Sequence, residues 1–186
     1  MASSAISPQK SRPGPVRAAL ERLIENREIE VDPLQRKLAD RLDALDRRLS
    51  AEIGASKKSA LGWLFGSKRD VEPVKGLYVH GDVGRGKTML MDMFFRQSSI
   101  AAKRRVHFHA FMLEVHARIR EERKKEAGDP IPPVAAAIAE EVRCLAFDEM
   151  VVNNSPDAAI MSRLFTALIV EHGVCVVTTS NRPPRD

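Results

Sequence analysis

No run of apolar residues in this 186-residue sequence is long enough to cross a bilayer. Stretches such as Ala167-Leu168-Ile169-Val170 fall far short of the roughly 20 residues a spanning helix needs. Two cysteines, Cys144 and Cys175, are too few to frame a small disulfide scaffold. Both stand in apolar runs that read as buried strands, so a reducing, cytoplasmic setting is expected. There is no secretory apolar segment and no internal repeat. Charge of one sign is also scarce: 30 Lys and Arg against 25 Asp and Glu leave +5, with a pI near 9.5. These charges are mixed along the chain, without the basic stripe or recognition helix that a specific nucleic-acid binder requires. His107, His109 and His116 have no Cys, Asp or Glu at ligand spacing, so no zinc site is expected; satisfied polar or active-site-flanking histidines are the better reading.

What is present falls into three parts. Residues 1–14 form a Ser- and Pro-rich tail, basic and without an acid, that is expected to be disordered. If it is a transit peptide, the location becomes mitochondrial. Residues 15–70 read as a helical segment and linker. One helix begins at Pro15. A second begins at Asp32-Pro33, with Asp as cap and Pro at the first position, and carries a stripe of Leu34, Leu38, Leu42, Leu45, Leu49 and Ile53. Such a stripe must pack on something, and packing within the chain is the common outcome. Leu61, Trp63, Leu64 and Phe65 are expected to dock on the core. From residue 71 to 186, strands and helices alternate. Strands are expected at Gly76–His80, Arg105–His109, Arg143–Asp148 and Val174–Ser180, with helices between them. The alternation implies a parallel sheet covered on both faces, an α/β fold.

The segment Gly81-Asp82-Val83-Gly84-Arg85-Gly86-Lys87-Thr88 is a complete GxxxxGK[ST] motif between an expected strand and helix. Its glycines let successive N–H groups curl inward around phosphate oxygens, and the following helix adds the positive end of its dipole. Lys87 supplies a full charge to the β and γ phosphates, and the Thr88 hydroxyl is placed for Mg²⁺. The apolar run Cys144-Leu145-Ala146-Phe147 then ends in Asp148-Glu149. An acid at that end of a parallel strand sits where α/β sheets bind ligands. Asp148 suits the Mg²⁺ shell, partly through water, and Glu149 suits activation of the attacking water. Asn181, after the run Val174–Ser180, suits a sensor of the γ phosphate. Its alternative is a turn-forming Asn before Arg182-Pro183-Pro184. Together these predict a P-loop ATPase core using ATP and Mg²⁺, with ATP and water going to ADP and phosphate. The alternative is a catalytically impaired nucleotide-binding fragment that serves as a protein-interaction module.

The strings Gly76–Gly81, Gly86–Phe95, Arg104–His109, Phe111–His116, Phe147–Glu149 and Thr179–Pro184 together resemble the ZapE cell-division ATPases and their mitochondrial relatives, from about Pro15 onward. The resemblance implies an AAA+ ATPase that self-associates with nucleotide. Bacterial members act at the division ring on FtsZ, and mitochondrial ones in inner-membrane protein quality control. Peripheral membrane association belongs to the same implication. Two departures matter. Met150-Val151-Val152-Asn153-Asn154-Ser155-Pro156 replaces a run that in the family carries an acid. The family chain is also about twice as long. By the resemblance, a fifth strand beside Gly76–His80, a helical lid and an arginine finger would follow Asp186, so this chain is expected to be truncated and to bind nucleotide better than it hydrolyses it.

Overall fold

In the computed structural model the described residues are 12–58, 73–82, 84–125, 128–148, 150 and 155–181. The expectations for the tail and for the cluster of Leu61, Trp63, Leu64 and Phe65 lie outside them. The first elements among the described residues are two helices, α1 (Pro15–Glu25) and α2 (Pro33–Lys58). Gly14 has no side chain to cap α1, and the cap comes instead from Asp43 in the middle of α2. Its carboxylate accepts the Val16 and Arg17 N–H groups at 2.9 and 3.0 Å. Only 2% of Asp43 is exposed. At its other end α1 closes with Arg27 in the left-handed region (φ 59°), where the Arg27 and Glu28 N–H groups return to Ile24 and Leu23 carbonyls. Asp32 starts α2 as expected, accepting the Leu34 N–H at 2.7 Å.

The leucine stripe packs within the chain. Leu42, Leu45 and Leu49 are buried together with Val16 and Leu20 of α1. Leu34, expected in the same stripe, is exposed because it lies in the first turn, beyond the helices it would need to pack on. Each fully buried leucine contributes about 1.5–3 kcal/mol, so this helical pair is held firmly to the rest of the fold.

The remainder alternates as expected: β1 (Leu77–His80), α3 (Lys87–Gln97), β2 (Lys103–His107), α4 (Phe108–Lys125), α5 (Ile131–Glu141), β3 (Cys144–Asp148), α6 (Ser155–Thr166, with a wider terminal turn at Ala167–Glu171) and β4 (Cys175–Ser180). The four strands form one parallel sheet in the order β1-β4-β3-β2. Side chains alternate across it. Cys144, Ala146, Cys175 and Val177 face α1, α2 and α3. Leu145, Phe147 and Val174 face α4, α5 and α6. Phe147 is gripped edge-on by Phe108, Phe111 and Phe165, with ring centres 5.8, 4.9 and 5.6 Å away. Cys144 and Cys175 are direct cross-strand neighbours, both buried and both free thiols.

One boundary differs in a way that matters. The second strand runs over Lys103–His107, two residues earlier than expected, and α4 follows at once. The helical stripe Phe108, Phe111, Met112, Val115, Ile119 already starts at Phe108, so His109 lies on a helix and does not share a strand face with His107. His116, farther along α4, meets the Asp157 carboxylate at 2.8 Å.

Candidate functional site

The end of β1 runs directly into residues 81–88, and α3 begins at Lys87. Gly84 and Gly86 both stand in the left-handed region, at φ 82° and 74°, where a side chain would strain the backbone. At Gly86 a Cβ would also lie 2.7 Å from Gln35 Nε2 and push that amide aside. That amide donates to the Arg85 carbonyl at 3.2 Å, so α2 holds the loop from outside. With glycine at its cap, α3 has no side chain bonded to its first N–H groups. These groups and the dipole behind them favour an anion. Lys87 Nζ donates to the Gly81 and Asp82 carbonyls at 2.7 and 2.8 Å, which holds the ammonium inside the loop's curve. Asp82 and Arg85 are exposed and 3.9 Å apart, and Thr88 is exposed at the second position of α3. Val83 lies outside the described residues.

Asp148 closes β3 at the same end of the sheet, on the face that carries α3, with its side chain 15% exposed. Met150 N–H donates to Thr179 O at 3.0 Å, so the chain past β3 stays beside β4. Glu149, between them, is outside the described residues. Ser180 pairs with His80, the residue before Gly81; Asn181 therefore follows at the loop's end of the sheet, where it is exposed. The phosphate loop, Asp148 and Asn181 thus converge on one edge of the fold.

Two participants were missed in the sequence. Arg105 on β2 donates from Nε to Asp148 Oδ2 at 2.7 Å and from Nη2 to Oδ1 at 2.9 Å. Its third nitrogen, Nη1, donates to Asp92 on α3. Arg105 is only 18% exposed. Its pKa is raised by the hydrogen bond to Asp148, with Asp92 adding to this against the cost of burial. The available signals were Asp92 as the lone acid among the apolar residues of Met89–Phe95, and the Arg104-Arg105 pair entering a buried sheet. The other participant is Gln35. Its Oε1 is buried and has no partner. A cavity of about 430 Å³ opens beside the loop, lined among others by Gln35, Leu38, Tyr78, His80, Arg85 and Lys87.

The residue types fit a magnesium–nucleotide group. An ammonium and free helix N–H groups suit phosphates, and a hydroxyl and a carboxylate with lone pairs to spare suit a hard cation. Among the described residues no three His, Cys, Asp or Glu side chains form a metal cluster.

Residues 15–186 match the profile of the AFG1-like ATPases. The chain belongs to that family. Among its relatives is the cell division protein ZapE of Escherichia coli, 37% identical over 160 residues that make up 82% of this chain and 42% of ZapE. Another is lactation elevated protein 1 homolog B of Danio rerio, 47% identical over 123 residues, 61% of this chain and 24% of that protein. The chain spans less than half the length of these relatives. Membership of the AFG1-like ATPases agrees with the α/β P-loop architecture.

Proposed function

We propose that this chain binds Mg-ATP at residues 81–88 and hydrolyses it to ADP and phosphate. The observation that carries the reading is the loop itself: a glycine-shaped turn at the N-terminus of α3 with the Lys87 ammonium held inside it. On arrival of a triphosphate, Lys87 exchanges two carbonyl partners for phosphate oxygens, and the α3 N–H groups gain acceptors. Thr88 and Asp148 are the residues that would hold Mg²⁺, which supplies charge neutralisation on the phosphates when bound. Glu149, next to Asp148 in the chain, is the proposed base that takes a proton from the attacking water, and Asn181 the group that senses the γ phosphate. The adenosine end occupies the cavity between α2 and β1, where the Gln35 amide, whose buried Oε1 is without a partner, turns to accept from the exocyclic amine of adenine.

Titration with a fluorescent ATP analogue tests the binding step. Lys87→Ala loses at least one charge-assisted hydrogen bond to phosphate, about 1.5–3 kcal/mol, and affinity falls tenfold or more. Equal affinity in the variant refutes the assignment. In a full-length family context, Glu149→Gln keeps binding and stops phosphate release, because an amide cannot take the proton. We place the activity in cell division or protein quality control, with self-association in the presence of nucleotide; the relative named for cell division supports the first setting.

A further inference from the structure

We propose that Arg105 is a positioning residue that presents the Asp148 carboxylate to the catalytic cation, and that Asp92 holds Arg105 in place from α3. The inference rests on the nucleotide reading of the site and deepens it. Its basis is a three-point tie. The guanidinium is a rigid plane with its donors in a fixed fork, and two of these donors take one lone pair from each oxygen of Asp148, at 2.7 and 2.9 Å. A carboxylate held this way has neither of its side-chain torsions free. Each oxygen still has its second lone pair, on the side away from the arginine, for a cation or the water around it. The third guanidinium nitrogen is anchored to Asp92, one turn into the helix that starts with Lys87 and Thr88. A single part-buried fork therefore ties the strand that carries the metal carboxylate to the helix that carries the metal hydroxyl.

The register makes this a built feature. Arg105 pairs with Ala146, so it shares the α3 face of the sheet with Asp148, two residues farther along β3. Ala146 has no side chain long enough to block the guanidinium. Lys103, on the same strand and face, cannot substitute because its ammonium is committed to the Ser98 carbonyl at 2.6 Å. Charge points the same way. Arg105 neutralises one of two neighbouring acids and leaves the trio at −1, attractive to a divalent cation but without two unpaired, half-buried carboxylates to strain the fold. Partners that orient a metal ligand from behind generally change metal affinity by 10–100-fold when removed.

The charge-conserving Arg105→Lys variant separates orientation from electrostatics, since lysine keeps the cation and loses the fork. Mn²⁺ stands in for the cation and is followed by electron paramagnetic resonance in the presence of ADP. ADP binding is measured separately in EDTA with a fluorescent analogue. In Arg105→Lys, Mn²⁺ affinity falls roughly tenfold or more, while ADP affinity in EDTA stays at the wild-type value. Asp92→Asn loosens the anchor and gives a smaller fall of the same sign; it also serves as the test if the lysine variant does not fold. Unchanged or tighter Mn²⁺ binding in a folded variant overturns the proposal. So does a parallel loss of ADP affinity in EDTA, which would place the effect in the phosphate loop. A wild-type chain that binds no nucleotide in EDTA or with metal overturns the underlying reading, and this inference with it.

Discussion

Replacing Asp43 by Asn changes one oxygen to NH₂ and almost no volume, yet it should be among the more damaging isosteric changes in this protein. Asp43 is 2% exposed and receives the first two N–H groups of α1, from Val16 at 2.9 Å and Arg17 at 3.0 Å. Each is a charge-assisted bond worth about 1.5–3 kcal/mol. In the amide one oxygen still accepts, but the other N–H now faces a donor. The expected loss is about 2–3 kcal/mol for Asn, and about 3–5 kcal/mol for Ala, which orphans both groups and opens a void. Against a usual total of 5–15 kcal/mol, either is a large fraction. Urea unfolding followed by circular dichroism reads it as a lower midpoint at unchanged slope. Asp40→Asn is the control. Asp40 lies on the same helix with its side chain 60% exposed and pairs with Arg17 at the surface, so it should cost under about 1 kcal/mol. If Asp43→Asn unfolds at the wild-type urea concentration, the cross-helix cap does not hold α1 and the reasoning fails.

Other changes separate the remaining features. Arg27→Gly relieves a side chain held at φ 59° and should raise the melting temperature by a few degrees, corresponding to about 0.5–1 kcal/mol; a lower melting temperature would mean that the Arg27 side chain makes a stabilising contact. Glu114 has its pKa lowered chiefly by the Arg104 hydrogen bond, so its contribution is complete above the ordinary carboxylate range near about 4.3 and is lost as pH falls through the lowered folded value. Glu114→Gln should therefore flatten the acid limb of a stability–pH curve and leave its slope above pH ~6 unchanged; an unaltered acid limb would refute the pairing. Gln35→Leu removes the acceptor proposed for adenine and should narrow the preference for ATP over GTP in competition binding, whereas a preserved ratio would remove Gln35 from base recognition.

Much of the architecture was legible because parallel strands buried on both faces must be apolar nearly throughout. Cys144-Leu145-Ala146-Phe147 and Cys175-Val176-Val177 satisfy this without help from context. The phosphate loop was legible because its backbone shape demands glycine at fixed positions. The second strand was displaced by two residues because Lys103-Arg104-Arg105-Val106-His107 lies at the outer edge of the sheet. Charged side chains are tolerated there, and hydropathy does not mark the start. The burial of Asp43 depends on a partner helix 27 residues away, and a helical wheel of α2 alone does not contain that helix. The Arg105 fork escaped for the same reason: Asp148 is 43 residues distant in sequence, and only the strand register brings the two together.

The two thiols offer a clock on the molecule. Cys144 and Cys175 are the chain's only cysteines, adjacent on the two central strands and 0% and 1% exposed. The Cys175 thiol has its pKa pushed up by its hydrogen bond to Cys144 and by burial, and both sulfurs are shut away from solvent while the sheet is closed. An aromatic disulfide reagent can therefore label them only when β3 and β4 part, and the release of coloured thiol counts openings of the sheet's centre. Two equivalents should appear together, since the pair is exposed by one event. A ligand that binds only the closed fold slows the release by the factor 1 + [L]/Kd. Nucleotide affinity then becomes readable from the protein's own sulfur, without a fluorophore on the ligand or a label on the chain.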